Sequence, residues 1–178
     1  MDASWRWFHV VVSTYGSWLD GDPRGFRTRH HREHIEGDYH NPPPPGAYAD
    51  RERQSRESLK QPPVVLTPEQ RAVVGEAFRE RLTGLGVLLV CVSVSGQHVH
   101  YLAKMPYCRP RLWTGYAKRH AWFCLRDRGR VGQLWGKRSK AKPIADRRHQ
   151  LNADWYILRH AKQGAWVWTM VEADRKLL

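Results

Sequence analysis

Short runs of apolar residues mark three predicted strands along the chain. Residues 7–14 are rich in β-branched and aromatic residues and stop at Tyr15 and Gly16, which predicts a first strand. Residues 87–95 and 98–105 are two further apolar runs, and the turn residues Ser95 and Gly96 between them favour a β-hairpin. Residues 133–140 are predicted to be a fourth strand.

Three other segments have the spacing of helices. Residues 67–83 begin with Thr67, Pro68 and Gln70, which suit the N-cap, the first helical position and the third residue of a capping box. Residues 110–128 carry a broad apolar stripe, and residues 145–163 form the last predicted helix, which Gly164 closes. This order predicts an α+β fold: a ferredoxin-like sandwich, with an antiparallel sheet and helices on one face, plus a C-terminal tyrosine-bearing helix.

The segment at about residues 21–66 differs in composition from the rest of the chain. It contains a histidine-rich patch, four consecutive prolines at 42–45 and a charged run at 50–60. His30 and His34 would share one face of a helix, so a second metal site there is an alternative to a solvated basic insertion. We favour the insertion, because the polyproline tract is typical of extended chain. Residues 1–178 are therefore predicted to form a single domain that contains this insertion.

The charge balance indicates a polyanionic partner. The 178 residues include 30 Lys and Arg against 17 Asp and Glu, a formal net charge of +13, spread over the whole chain. Nucleic acid is the natural partner of such a surface, although a solvated basic surface has the same composition. Three cysteines without a Cys-x-x-Cys pair, no signal-like segment and no membrane-length apolar run predict a cytoplasmic protein that does not bind membranes.

The segment Gln97-His98-Val99-His100 is a candidate metal site. Side chains alternate faces along a strand, so His98 and His100 project together while Val99 points to the core. Two imidazoles placed in this way can share one divalent metal ion. A half-solvated strand face is the alternative for an isolated His-x-His pattern.

The last predicted helix carries a candidate nucleophile. A helical projection assigns Leu151, Trp155, Ile157, Leu158 and Ala161 to its buried stripe and Tyr156 and His160 to the polar face. A phenol beside an imidazole that can meet His98 and His100 would complete a phosphoryl-transfer site. Tyr116 and His120 have the same four-residue spacing, but Tyr116 belongs to an apolar stripe and is predicted to be a core residue.

Three motifs together resemble a known family. They are FHVVV at residues 8–12, QHVH at 97–100 and WYILRHAKQG at 155–164. They are similar to the motifs of the single-tyrosine HUH transposases, in particular the REP-associated tyrosine transposases and their insertion-sequence relatives. The resemblance covers most of residues 5–170 outside the insertion.

The resemblance implies a role for each residue of the site. His98 and His100 would be the two HUH ligands of a divalent metal ion, and Tyr156 would be the nucleophile. His160 stands where the family carries an amide side chain as third ligand, and His160-Ala161 replaces an Asn-Pro pair. The metal implied is Mg²⁺ or Mn²⁺, and a third imidazole moves the preference from Mg²⁺ toward Mn²⁺, Zn²⁺ or Co²⁺.

The activity implied is DNA transposition by metal-dependent nicking of single-stranded, hairpin-forming DNA. Tyr156 would form a 5′-phosphotyrosine intermediate that is then used for strand transfer, in a monomer or a homodimer. Candidate contacts to the DNA backbone are Lys104, Lys118, Arg119, Arg126 and Arg159. Alternatives are a domesticated, non-catalytic nucleic-acid-binding protein of the same fold, a ferredoxin-like RNA-binding sheet, and a purely structural zinc site.

Overall fold

A computed structural model of the protein describes residues 4–26 and 41–170. Five strands form one antiparallel sheet in the order β4-β1-β3-β2-β5. The strands are β1 (Trp5–Thr14), β2 (Leu88–Val94), β3 (His98–Pro106), β4 (Trp135–Pro143) and β5 (Trp166–Thr169). The helices are α1 (Ala49–Glu57), α2 (Pro68–Gly84), α3 (Pro110–Arg126) and α4 (Arg147–Leu158), and a 3₁₀ turn (Arg159–Gln163) follows α4 directly.

The main core lies between the sheet and the pair α2 and α3. Alternate residues of β1 and β3 point into it, and Val10 and Tyr101 are fully buried there beside Phe78 of α2 and Ala117 of α3. Tyr101 exchanges a 2.7 Å hydrogen bond with the hydroxyl of Thr114, so the phenol is satisfied inside the apolar layer.

The opposite face of the sheet carries α4. Ala153 and Ile157 of this helix pack on Leu102 of β3 and on Val90 and Cys91 of β2, in a second and smaller apolar cluster. Helices therefore cover both faces of the sheet: α2 and α3 pack on one face, and α4, which carries Tyr156, packs on the other.

The capping box at the start of α2 forms as predicted. The backbone N–H of Gln70 donates to the Thr67 hydroxyl, and the Gln70 side chain accepts from the Thr67 backbone N–H. At the other end of the chain, Gly164 adopts a left-handed conformation with φ of 74° and ends the 3₁₀ turn. Arg71 of α2 donates a 2.8 Å hydrogen bond to the Gly164 carbonyl, which anchors the end of the Tyr156 segment.

Residues 16–63 form a compact unit of their own, and the rest of the chain forms the other. The first unit overlaps the compositionally distinct segment at 21–66. It contains α1, and in it Phe26 packs edge-on against Tyr48 with ring centres 5.0 Å apart. Arg51 forms an ion pair with Asp20 at 3.2 Å. The histidines at 30, 31, 34 and 40, which include the alternative second metal site, lie outside the described residues.

The predicted ferredoxin-like α+β fold is confirmed, with several local corrections. The last helix is shorter than predicted, since it passes into the 3₁₀ turn at Arg159. Its predicted buried stripe is wrong in part, because Leu151, Trp155 and Ala161 are exposed while Gln150 and Ala153 are buried. Tyr116 was expected in the core, but 39% of its surface is exposed. The elements α1 and β5 were not predicted.

None of the helices in the described ranges has both the length and the apolar character needed to span a membrane.

Candidate active site

The two histidines of β3 lie on the α4 face of the sheet. Val99 between them is fully buried in the main core, as the strand alternation predicts. The ring centres of His98 and His100 are 6.2 Å apart. The hydroxyl of Ser95 accepts a 3.1 Å hydrogen bond from the His98 backbone N–H, which fixes the first residue of the strand. The hairpin turn thus sets where the pair enters the sheet.

Tyr156 meets this pair across the gap between α4 and the sheet. Ile157, the next residue, is fully buried, so the packing of α4 on Leu102 holds the phenol over the histidines. The Tyr156 ring centre lies 5.6 Å from that of His100 and 4.9 Å from that of His160. Its side chain stays 39% exposed, so it is open to a macromolecular substrate.

Hydrogen bonds to the backbone fix the tautomer of His160. Its Nδ1 lies 2.9 Å from the carbonyl oxygen of Tyr156 and 3.2 Å from that of Ile157. Carbonyl oxygens only accept, so Nδ1 carries the proton and donates. The lone pair of the neutral ring is then on Nε2, which is the arrangement typical of a histidine metal ligand. The ring stacks against His100 with centres 4.9 Å apart.

A fourth histidine belongs to this cluster, and the sequence interpretation did not assign it a role. The Nε2 atom of His9 on β1 lies 3.2 Å from the Nδ1 atom of His100. The ring centre of His9 is also 5.8 Å from that of Tyr156. A lone histidine in an alternating strand has no spacing motif, and its contact with His100 depends on the pairing of strands 91 residues apart.

Burial keeps the inner two imidazoles neutral. Desolvation, and then the neighbouring histidines His9, His160 and His98, lower the pKa of His100 to about 3. Desolvation also lowers the pKa of His9 to about 4, with smaller effects from surrounding positive groups. Both rings therefore offer lone pairs at neutral pH, as a metal site or a proton acceptor requires.

The site floor contains one polar atom without a protein partner. Ser93 of β2 is directly opposite His100 in the sheet ladder, so both side chains are on the α4 face. Ser93 is 1% exposed, and its hydroxyl has no hydrogen-bond partner within residues 4–26 and 41–170. A buried hydroxyl that lacks a partner costs free energy, which a bound water or hydrated ion beside His100 would relieve.

The side chains of the site are of the type that binds a divalent metal, but they are not arranged to bind one. His98, His100 and His160 supply three imidazoles, and the ring centres of His98 and His160 lie 6.2 and 4.9 Å from that of His100. Within residues 4–26 and 41–170, however, no three His, Cys, Asp or Glu side chains already stand in positions that would hold an ion. Side-chain rotation is therefore needed before all three nitrogens can reach the roughly 2.1 Å of a metal bond.

The predicted DNA contacts divide between the two faces of the sheet. Lys104 is on β3, two residues along the strand from Leu102 and on the same face, and the Arg159 guanidinium carbon is 5.7 Å from the Tyr156 ring centre. Three others lie on α3, on the opposite face: Lys118, Arg119 and Arg126. Lys118 donates a 2.8 Å hydrogen bond to the carbonyl of Gly136, and burial lowers its pKa.

Two lysines that the sequence interpretation did not single out flank the site instead. Lys142 and Lys140 of the edge strand β4 are opposite His9 and Val11 of β1, so they share the face of the histidines. Both are exposed, and both contribute to lowering the pKa of His9. The signal for them in the sequence is the alternation of Lys with small residues along β4.

No family model matches the chain, and no curated protein matches its sequence. Among solved structures, a REP-associated tyrosine transposase bound to a REP hairpin aligns with 89% of this chain and 68% of its own, at 11% identity and a TM-score of 0.48. A structural similarity of that size does not indicate which reaction the site performs.

Proposed function

We propose that this protein cuts and rejoins single-stranded DNA by metal-dependent nicking and strand transfer, with Tyr156 as the nucleophile. The observation that carries the proposal is the convergence of Tyr156 with His100 and His160 on one face of the sheet. A phenol, a set of neutral imidazoles and a basic chain are the components that tyrosine-mediated phosphoryl transfer needs. The sequence resemblance to single-tyrosine HUH transposases supports the same chemistry.

In the proposed reaction the phenol oxygen of Tyr156 attacks a DNA phosphorus in line with the 3′ oxygen. The Tyr-O–P bond forms as the P–O3′ bond breaks, and the phenol proton passes to water, which can reach the exposed ring. The 3′ oxygen leaves and takes up a proton from water to become a hydroxyl, and the 5′ phosphate stays on Tyr156. A 3′ hydroxyl of a second strand then reverses the step, so strand transfer conserves the bond energy and needs no nucleotide cofactor.

His98, His100 and His160 would hold the divalent ion. Bound there, it would supply Lewis-acid polarisation of the phosphate oxygens. Three nitrogen ligands favour Mn²⁺, Zn²⁺ or Co²⁺ over Mg²⁺. The Nδ1 hydrogen bonds of His160 turn its free nitrogen away from its own helix backbone.

His9 is assigned the role of orienting His100. If Nδ1–H of His100 donates to Nε2 of His9, the lone pair of His100 stays on Nε2, where it can ligate. His9 is then a positioning residue and not a ligand. Around this pair, Lys140, Lys142, Lys104 and Arg159 supply positive charge for the phosphates of a single strand that forms a local hairpin.

A second candidate function is a domesticated, non-catalytic nucleic-acid binder with this fold. Lys140 and Lys142 support it, because they are exposed on the face of the histidines and can bind phosphates whether or not Tyr156 reacts. The two functions share the basic face and differ in whether a covalent protein–DNA species forms. A monomer or a homodimer is compatible with either.

A nicking assay separates them. The protein is incubated with hairpin-forming single strands labelled at either end, with Mg²⁺, Mn²⁺ or a chelator, and run on a denaturing gel. Because the 5′ phosphate joins Tyr156, the 3′ label should migrate with the protein and the 5′ label with a shorter strand whose 3′ hydroxyl a polymerase can extend. Binding without any adduct in either metal would leave the non-catalytic function.

A further inference from the structure

The exposed side of α4 carries an apolar patch that the sequence pattern assigned to the core. Trp155 is 64% exposed and Leu151 is 52% exposed, while the buried side of the helix is Gln150, Ala153 and Ile157. Leu151 and Trp155 are four residues apart, so they are neighbours on the helix surface. An exposed pair of large apolar side chains next to a candidate active site indicates a binding surface.

The patch continues into a recess of about 490 Å³ at the end of α4. None of the described residues that line it has a carboxylate, and they comprise an indole, two aliphatic side chains, two cations and an amide: Trp155, Leu158, Ala161, Arg159, Lys162 and Gln163. Two cations without an anion select for a negatively charged ligand, and the indole selects for one with a flat apolar part.

Arg159 connects this recess to the nucleophile. Its guanidinium carbon lies 4.9 Å from the ring centre of Trp155 and 5.7 Å from that of Tyr156. The same cation thus stands over the indole and beside the phenol. A ligand that placed a ring on Trp155 and a phosphate at Arg159 would bring its next phosphate toward Tyr156.

We propose that Trp155 and Arg159 form a subsite that stacks one unpaired base of the DNA strand beside the phosphate attacked by Tyr156. This inference rests on the proposed function, since it takes the strand cut by Tyr156 as the occupant. Nucleobases stack on tryptophan without regard to sequence, and an adjacent arginine pairs with the linking phosphate. The subsite would keep the reacting nucleotide unpaired and in register, which selects single strands over duplexes.

Binding can be measured without cleavage in the Tyr156→Phe protein, by fluorescence anisotropy. The probes are a twelve-nucleotide thymidine strand and an abasic strand with the same number of phosphates. Trp155→Ala should bind the thymidine strand roughly ten-fold more weakly, as loss of one stacked base predicts. Its affinity for the abasic strand should stay within about two-fold. Trp155→Phe should retain most of the affinity, and Trp155→Leu should not.

Two controls make the result specific. Trp5→Ala removes another exposed indole, 43% exposed, at the end of β1 away from His98, and should leave both affinities unchanged. Arg159→Ala should lower the slope of log K against log salt by about one, whereas Trp155→Ala should leave the slope unchanged because stacking releases no counterion.

Equal affinities of the wild-type and Trp155→Ala proteins for the thymidine strand would overturn the subsite. Loss of a dimer in Trp155→Ala, seen by sedimentation, would also overturn it, because the patch would then bind a second copy of the chain. These outcomes are separate from the nicking assay. A protein that forms no adduct can still lose affinity for the thymidine strand when Trp155 is replaced by alanine, and a protein that nicks can keep that affinity.

Discussion

Tyr116 and Tyr156 make a natural comparison because their local surroundings look alike. Each is on a helix that packs on the sheet, each is followed by a histidine four residues later, and each is 39% exposed. The neighbours of Tyr116 are the Trp113 ring at 6.5 Å and the Arg81 guanidinium at 5.7 Å. Tyr156 also has a guanidinium at 5.7 Å, that of Arg159, but its ring neighbours are the imidazoles of His9, His100 and His160.

The difference comes from the face of the sheet that each helix covers. On the α3 side, the Nε2 atom of His120 lies 3.6 Å from the Glu80 carboxylate and 3.8 Å from the sulfur of Cys124. On the α4 side, His160 meets His100, which β3 presents from the sheet. A Tyr–His pair on a helix becomes a candidate site only where a strand supplies further ligands.

Replacing each tyrosine by phenylalanine should give the largest difference between the two helices. Tyr156→Phe should abolish the covalent protein–DNA species, since phenylalanine has no oxygen to attack phosphorus. Tyr116→Phe should keep it. Denaturing gels with 3′-labelled DNA measure both. Adduct that persists in Tyr156→Phe and disappears in Tyr116→Phe would move the nucleophile to α3.

The next largest effect is expected in metal binding. His100→Ala should weaken Mn²⁺ or Zn²⁺ binding by more than about 100-fold, because even second-shell changes cost 10- to 100-fold. His120→Ala is the matched change on α3 and should have no effect. Isothermal titration calorimetry of the DNA-free protein would show the difference. Equal losses in the two variants would mean that the bound ion is elsewhere.

Much of the fold could be predicted because its signals are local. The capping box at Thr67, the hairpin turn at Ser95 and Gly96, and the alternation of His98 and His100 each depend on a few adjacent residues. The order of these elements leads to a ferredoxin-like sheet. By contrast, β5 is four residues long, and α1 is a charged helix without a buried side chain, so neither has a clear periodic pattern.

The site was predictable only in part, for a physical reason. His98, His100, Tyr156 and His160 follow from strand and helix periodicity and from the family resemblance. His9 could not be found in this way, because its contact with His100 depends on the register of β1 against β3. The exposure of Trp155 could not be predicted either. Helical periodicity identifies an apolar position but does not distinguish one that packs on the protein core from one that is left for a ligand.

Gly75 of α2 and Gly115 of α3 should change the free energy of unfolding in opposite directions when each is replaced by alanine. A Cβ at Gly75 of α2 would lie 2.0 Å from the Trp166 ring of β5, so Gly75→Ala should destabilise the fold by about 1–3 kcal/mol. Gly115 precedes Tyr116 on α3 and has open space around it. Gly115→Ala should stabilise by up to about 1 kcal/mol through helix propensity. Urea unfolding monitored by circular dichroism compares them, and a stable Gly75→Ala protein would argue against the close packing of Trp166.

The smallest expected effect is the response of stability to acid, and it concerns His9. Burial first, and then His149, Lys142, His160 and Lys140, lower its pKa from 6.5 to about 4 in the folded protein. Between those values the unfolded chain binds a proton that the folded chain does not, so this group makes stability fall as pH drops below about 6.5.

His9→Gln removes that group, so the variant should lose less stability than wild type on acidification. One pH unit across this window corresponds to about 1.4 kcal/mol, so the difference between pH 7 and 5.5 should be on the order of 1 kcal/mol. Urea unfolding of the metal-free proteins at both pH values measures it. His120→Gln is the matched variant from α3. If it reduced the acid sensitivity as much as His9→Gln, the buried histidine cluster on the α4 face would not be its source.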